Sequence, residues 1–431
     1  MNLLGSFVSA FKIPDLRKKI LFTLIIIAIY RFGAHVPTPG IDVEAAQRFA
    51  ANASGSVFAF INLFSGGALT QMAIFALGIM PYITSSIIMQ LLTVVIPKLE
   101  AWSKEGESGY KKINQWTRYL TVVLATLQST GLAFLFHQGG ITDATGAGVD
   151  LIPNFTAPRV MLIVLSLTAG TALIMWLGEL ITSRGIGNGM SILIFASIVS
   201  TLPSEGGAIL AQKGMGVFLA VVAIGLLIIV AIVIMEQGQR RIPVQYAKRV
   251  VGRKMYGGGQ VYIPLKVNQA GIIPIIFASS VLYIPSLLQN TIQSPTIQNF
   301  IENNLVNPAA PAYMIIYGSM VVFFAYFYTA IAFNPVDQAD NMKKYGGFIP
   351  GIRPGRQTAE YLDRILTRIT LPGALFIAAI ALLPSIFLAT QNIQQLPFGG
   401  TSILITVGVT LETMKQIESQ LTMRHYEGFL K

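Results

Sequence analysis

A chain of 431 residues that is 53% hydrophobic and only 11% charged is not an ordinary soluble domain, in which about a quarter of residues are charged. It contains no cysteine, which excludes a disulfide framework, a thiol nucleophile and a cysteine metal site. The formal charge of +11 fits either a nucleic-acid partner or the cytoplasmic face of a membrane protein, and the placement of the charges decides between them.

Lys12, Arg17, Lys18 and Lys19 precede the first apolar run, which ends at RFGAHVPTPG without a small-residue cleavage site. It therefore reads as a retained span and not a removed signal peptide. Apolar runs near the ~20 residues that cross a bilayer recur at 20–36, 72–96, 118–137, 158–178, 190–203, 215–235, 270–289, 313–333, 370–389 and 400–414. The fifth and tenth are short. A soluble core hides one or two such runs, not this many, so the pattern predicts an all-α, multi-pass membrane protein.

Ahead of the second span stands a small, polar, glycine-bearing piece with Asn62, Ser65, Gly66, Gly67, Thr70 and Gln71. It has the length of a short helix, but its composition reads more readily as a plain loop. The span behind it contains Gly78-Ile79-Met80-Pro81 with Ser85 and Ser86 following; the seventh contains Gly271-Ile272-Ile273-Pro274 with Ser279 and Ser280 following. Ten spans divide into halves of five, about 1–205 and 206–431, with the second half upside down. Inverted repeats of this kind place a transport path at their interface. A proline within a span deletes a backbone hydrogen bond and weakens the helix there, giving either a static kink or a place where paired helices part.

With the N-terminus inside, the inside segments hold Lys98, Lys104, Lys111, Lys112, Arg118, Arg184, the basic residues of 236–267 and 334–370, and Lys415, Arg424 and Lys431 in the tail. The outside segments hold only Arg48, Arg159 and Lys213. Lys and Arg accumulate on the cytoplasmic side, so both termini are expected there. The loops 236–267 and 334–370 are longer than topology requires. Their Pro and Gly turns and alternating β-branched and aromatic residues predict ordered, basic protrusions suited to an acidic or nucleic-acid-bearing cytosolic partner.

His35, His137 and His425 match no metal motif, and without a Gly-Lys pair there is no P-loop. GIGNGM at 185–190 lies between two spans with no strand before it and reads as a tight turn. An enzyme is not expected, and no cofactor is implied. Glu179, Glu236, Asp337, Glu412 and Arg31 all fall near span ends, whereas ion-coupled carriers keep ionisable groups at mid-membrane. A ten-helix secondary transporter of small solutes stays the alternative reading, without its binding cluster.

Six stretches then carry a resemblance: NLFSGGALTQMAIFALGIMPYITSSIIMQLLTVV, KEGESGYKKINQWTRY, MWLGELITSRGIGNGMSILIF, PLKVNQAGIIPIIFASS, FNPVDQADNMKK and FIPGIRPGRQTAEYLDRILTRITLPGAL. They resemble the SecY family of bacterial protein-translocation channel subunits, in order and over essentially the whole chain, with most divergence around 137–157 and 290–312. The resemblance implies a clamshell of two inverted five-helix halves around an hourglass pore. It implies a pore ring of Ile79, Ile83, Met190, Ile194, Ile276 and Ile405, where Met190 departs from the usual branched aliphatic; on its own, each isoleucine reads more readily as core or lipid-facing packing, and only its motif position lifts it above that. Residues near 60–72, including Asn62, Phe64, Ser65, Gly66, Gly67, Ala68, Leu69 and Thr70, would form a plug helix in the external funnel, polar because the funnel is aqueous. The lateral gate would comprise Pro81, Thr84, Ser85, Ser86, Gln128, Pro274, Ser279 and Ser280, their side chains forming a weak polar latch between helices. Arg240, Arg241, Lys248, Arg249, Arg253, Lys254, Arg353 and Arg356 would dock a ribosome or the SecA motor ATPase. The other partners implied are the SecE and SecG membrane subunits, signal peptides, nascent or preprotein chains and lipid, in a bacterial plasma membrane.

Overall fold

The computed structural model describes residues 11, 13–42, 62, 64–137, 152, 155–246, 249–251, 254–256, 260–289, 294–391 and 400–428. A helix lies under every predicted span: α1 (Pro14–Gly33), α2 (Met80–Val95) with α3 (Pro97–Lys104), α4 (Glu107–His137) and α5 (Ala157–Arg184). These are followed by α6 (Gly189–Ala211) and α7 (Gly214–Gln237). Then come α8 (Ile273–Gln289), α9 (Pro295–Ile301), α10 (Pro311–Ala332), α11 (Pro335–Lys344), α12 (Arg356–Gln391) and α13 (Gly400–Gly428). Among the described residues, five helices are long and apolar enough to cross a membrane on their own; α2 with α3, bent by 99°, makes a sixth. The bend falls just before Pro97, which cannot donate to the preceding turn. Large apolar side chains, among them Leu219, Leu227, Val230 and Ile234 of α7, face outward, as a bilayer requires.

Several boundaries differ from the hydropathy reading. The second span begins as helix only at Met80, because Met72 and Gly78 adopt left-handed backbone (φ 47° and 56°) and hold the apolar residues between them in turns. Position 205 lies inside α6, and the chain breaks instead at Gly214 (φ 81°, ψ 173°). The helices α4, α12 and α13 extend well beyond their apolar runs into charged sequence.

The neighbour pattern repeats. In the first half α2, α4 and α5 pack against one another and α5 packs on α6; in the second, α8, α10 and α12 do the same and α12 packs on α13. The two halves meet where α2 touches α8. A buried cluster in the first half (Ile26, Tyr30, Phe64, Phe75, Ile79, Ile174, Ile194, Ile198) takes in Ile405 and Val409 of α13, so the last helix completes the core of the other half.

Two glycines wedge the segment ahead of α2 between α1 and α5. A Cβ on Gly33 would lie 2.2 Å from the Phe75 ring, and one on Gly170 would lie 2.0 Å from the Ile74 carbonyl oxygen. A clash with backbone cannot be relieved by a rotamer change. Gly170→Ala is therefore expected to destabilise the chain by about 2 kcal/mol, as overpacked cores do, measured as a lower thermal unfolding midpoint in detergent.

The two long basic loops fold together. From the first come β1 (Gln239–Tyr246), β2 (Arg249–Val251), β3 (Lys254–Tyr256) and β4 (Gln260–Lys266); from the second comes β5 (Gly347–Phe348). β1 and β4 form an antiparallel hairpin running from Gln239↔Lys266 to Gln245↔Gln260. β5 pairs with the far end of β1 through Gln245↔Phe348 and Tyr246↔Gly347, giving the order β4-β1-β5. Along β1, Arg241 points out while Ile242 and Val244 point in, onto a core with Leu265, Met342, Ile349, Leu362 and Leu366.

Candidate functional site

The polar stretch before α2 is a compact, self-bonded knot. Helical residues 62, 64 and 65 lead into turns through 79. Ser65 Oγ donates to the Asn62 carbonyl at 3.2 Å and accepts from Leu69 N at 3.2 Å. Asn62 Oδ1 accepts from Thr70 N at 3.2 Å, and Thr70 Oγ1 donates to the Gly67 carbonyl at 2.8 Å. Gly66 and Gly67 have φ of 63° and 88°, a left-handed region that disfavours side chains. The helical part is thus shorter than the sequence implies. The polar side chains satisfy backbone groups within the knot and do not serve chiefly to meet solvent: Phe64, Ser65, Gly66, Ala68 and Leu69 are all buried.

Neighbouring helices hold the knot. Tyr30 on α1, 1% exposed, lies with its Oη 2.6 Å from Ser197 Oγ on α6 and donates to the Ser65 carbonyl at 3.3 Å. Arg31 donates through Nη1 to the Gly66 carbonyl at 2.7 Å. The Tyr30 ring stacks on Phe75 with centroids 5.8 Å apart.

Against the knot lies an aliphatic layer. Ile79, Ile194 and Ile405 are 2%, 3% and 0% exposed and share one contiguous cluster with Phe64 and Ala68, with Ile83 and Met190 packed on its edge. Gly178 leaves room for Met190, since a Cβ there would lie 2.3 Å from Met190 Sδ. Beside the layer opens a cavity of about 470 Å³ whose lining includes Ile83, Met190, Ile194 and Ile276. Its wall also carries Glu236, Lys266, Asn268, Glu412 and Lys415. Asn268 Nδ2 bonds both the Glu236 carboxylate and the Gly271 carbonyl, tying the turn before α8 to α7. The aliphatic cluster therefore touches the knot through Phe64 and Ala68 and reaches the cavity through Ile83, Met190 and Ile194. Apolar constrictions expel water and resist ions.

The α2–α8 seam corrects the sequence reading of its prolines. Pro81 and Pro274 do not interrupt their helices; each occupies the second residue of one, where a missing N–H costs nothing. Gly78 (φ 56°) and Gly271 (φ 61°) stand two residues before the respective helix starts, so the repeated Gly-x-x-Pro is a repeated helix-start device in both halves. Nor do the expected gate residues bond across the seam. Thr84 Oγ1 donates to the Met80 carbonyl at 3.0 Å and Ser85 Oγ to the Pro81 carbonyl at 2.7 Å, both within α2. Ser279 Oγ donates to the Ile275 carbonyl at 2.8 Å and lies 3.2 Å from Tyr317 Oη on α10. Ser280 Oγ is buried without a partner, Ser86 lines the cavity, and Gln128 is half-buried on α4. Among the described residues no side-chain hydrogen bond joins α2 to α8.

Of the basic residues, Arg240 and Arg241 are exposed on β1, and Arg353 is exposed in a turn between Gly351 (φ 82°) and Gly355 (φ 102°). Arg356 forms an exposed ion pair with Glu360 at 2.9 Å. Arg249 and Lys254 lie on β2 and β3; Lys248 and Arg253 lie outside the described residues. Sequence reasoning missed Tyr30 and Ser197, which no pattern distinguishes from ordinary span residues. Arg31 was visible as a charge at a span end, but not its partner.

Comparison with known proteins supplies the setting. The SecY family model matches residues 73–414. The protein translocase subunit SecY of Streptomyces scabiei is 56% identical over the full length of both chains, and that of Mycobacterium bovis is 53% identical, again over all of both. A solved structure described as a protein conducting channel superposes with a TM-score of 0.63 at 16% identity, covering 95% of this chain and 96% of that one. Sec61 in the canine ribosome-channel complex gives 0.59 at 16% identity, with the same coverage.

Proposed function

The chain belongs to the SecY family and is a protein-conducting membrane channel; we propose that its polypeptide path runs from the cavity through the ring Ile79, Ile83, Met190, Ile194, Ile276 and Ile405 and past the knot at 62–70, which acts as the plug. The observation that supports this reading is one buried aliphatic cluster that packs on the self-bonded knot and also lines the cavity, through Ile194 with Ile83 and Met190 at its edge. Aliphatic side chains make no hydrogen bonds that discriminate among passing residues, so they seal around any unfolded sequence.

The seam between α2 and α8 is the lateral exit. No side-chain hydrogen bond crosses it among the described residues, where the contact is apolar. A transiting segment gains roughly 0.3–0.6 kcal/mol per central Leu, Ile, Phe or Val on entering lipid, enough in sum to part helices that are only packed. Of the gate residues, Pro81 and Pro274 shape this seam by starting their helices and Thr84, Ser85 and Ser279 by intrahelical bonds, while Ser86 faces the cavity, Ser280 is buried and Gln128 stands on the neighbouring α4.

The sheet β4-β1-β5 with its arginines faces the cytosol, together with both termini, in a bacterial plasma membrane. It docks the SecA motor or a ribosome through Arg240, Arg241, Lys248, Arg249, Arg253, Lys254, Arg353 and Arg356, and small SecE and SecG subunits cover part of the apolar outer face. The deciding experiment is reconstitution with SecA, ATP, the small subunits and a signal-bearing preprotein. Preprotein protected from protease inside the vesicles supports the channel; its absence, with motor ATPase intact, overturns it.

A further inference from the structure

We infer that Tyr30, Arg31 and Ser197 form a latch that keeps the plug seated independently of the α2–α8 seam, so that the exit toward lipid and the passage across the membrane open by separate steps. This rests on the plug reading above. Among the described residues, the side-chain hydrogen bonds that neighbouring helices make with the knot come from α1, in the first half: Arg31 to the Gly66 carbonyl and Tyr30 to the Ser65 carbonyl, with Ser197 of α6 beside the Tyr30 hydroxyl. The second half meets the same cluster through apolar side chains, Ile405 and Val409 of α13 and Ile272 ahead of α8. Parting the halves thus strips apolar contact from one side of the plug and leaves its hydrogen bonds intact.

The latch is built to release without stranding a buried donor. With the plug seated, Tyr30 donates to Ser65 and Ser197 Oγ gives its one proton to Tyr30 Oη at 2.6 Å; once the plug leaves, Ser197 can turn that proton to the Leu193 carbonyl at 2.9 Å and accept the Tyr30 proton instead. A buried hydroxyl left with a partner avoids the desolvation penalty that an unpaired one suffers. Arg31 is half-buried and exchanges the Gly66 carbonyl for water. Gly66 is fitted to its place: a Cβ there would lie 2.8 Å from Arg31 Nη1 and 3.0 Å from Ser197 Cα. The bond from Arg31 is charge-assisted, the stronger class, and makes it the principal element.

The absence of native cysteine makes the test direct. A single Thr70→Cys reports plug departure through its labelling rate with a membrane-impermeant maleimide. In a second variant, Ile87→Cys on α2 and Phe277→Cys on α8, introduced together in one chain, report seam width by bifunctional-maleimide cross-linking. In reconstituted resting channels, Arg31→Met should raise both Thr70→Cys labelling and ion conductance about tenfold, the loss of one charge-assisted bond. Tyr30→Phe, which removes a single oxygen and preserves packing, should raise them by a smaller factor, and Arg31→Lys should fall between Arg31→Met and the parent. Seam cross-linking should stay at the parent level in all three. Parent-like labelling and conductance in Arg31→Met and Tyr30→Phe, alongside a leaky 62–70 deletion, overturn the latch and leave the plug standing. A tight 62–70 deletion overturns the plug reading itself. Cross-linking that changes in step with labelling overturns the independence of the two steps.

Discussion

Arg353→Glu should abolish polypeptide export, slowing it at least about 100-fold, while leaving the chain inserted and folded. The two effects separate because of where the residue sits. Arg353 is exposed, and its turn is fixed from beneath, with Thr358 Oγ1 donating to the Arg353 carbonyl at 2.9 Å. Gly351 and Gly355 supply the left-handed backbone that a side-chain-bearing residue resists. Its guanidinium makes no ion pair among the described residues, so reversal breaks nothing internal, and surface changes of that kind usually stay within about 0.5 kcal/mol. A docked partner responds differently. An interface arginine is often a residue whose loss costs about 2 kcal/mol or more, and reversal adds like-charge repulsion worth several kcal/mol more. Together these exceed the roughly 2.8 kcal/mol that corresponds to 100-fold, at about 1.4 kcal/mol per tenfold. Arg356→Glu is the control: Arg356 is already neutralised by Glu360 and its side chain is 92% exposed, so its reversal should slow export only a few-fold. The measurement is protease-protected preprotein in vesicles, with motor binding scored by co-flotation. Normal export by Arg353→Glu would remove this turn from the docking surface.

Among the described residues a helix lies under each apolar run, because a helix that faces lipid must present an apolar exterior and that demand is written residue by residue. The ends were less legible. Residues 72–79 are as apolar as a span, yet they are turns: Gly78 packs against Ser65 of the knot, and Ile74 and Phe75 are held against Gly170 of α5 and Gly33 of α1, contacts the local sequence does not announce. The prolines of the repeated motif were visible, but whether a proline bends a helix or starts one depends on the residue at which the helix begins. The union of the two basic loops in one sheet was hidden because β5 contributes only Gly347 and Phe348, too short to leave a periodic pattern. Asn62, Ser65 and Thr70 were noticed for their polarity, and solvent was the obvious reason for it. Their actual partners are backbone groups of the same knot, a use of polar side chains that composition does not distinguish from exposure.

Deleting 62–70 should leave a channel that still moves polypeptide but conducts ions at rest. The deletion removes Phe64, Ala68 and Leu69, all buried, and uncovers the aliphatic cluster of Ile79, Ile194 and Ile405. Burial of a side chain such as Phe or Leu contributes roughly 1.5–3 kcal/mol. The closed state therefore loses several kcal/mol that an open state, with the plug already displaced, never had. The resting population shifts toward opening, and preproteins with weakened signal sequences should pass more readily. The ring itself is untouched, and a narrow aliphatic constriction still dewets. The leak should accordingly appear in planar bilayers as intermittent openings and not as a steady current. Export of an intact preprotein should persist, because the ring closes around the moving chain whether or not the plug is present. Silent bilayers would show that the ring alone holds the seal, whereas loss of export would make 62–70 part of the path's scaffold. The latch residues sharpen the comparison: Arg31→Met in the full-length chain should reproduce the intermittent openings at lower frequency, since there the plug can still return to its seat and in the deletion it cannot.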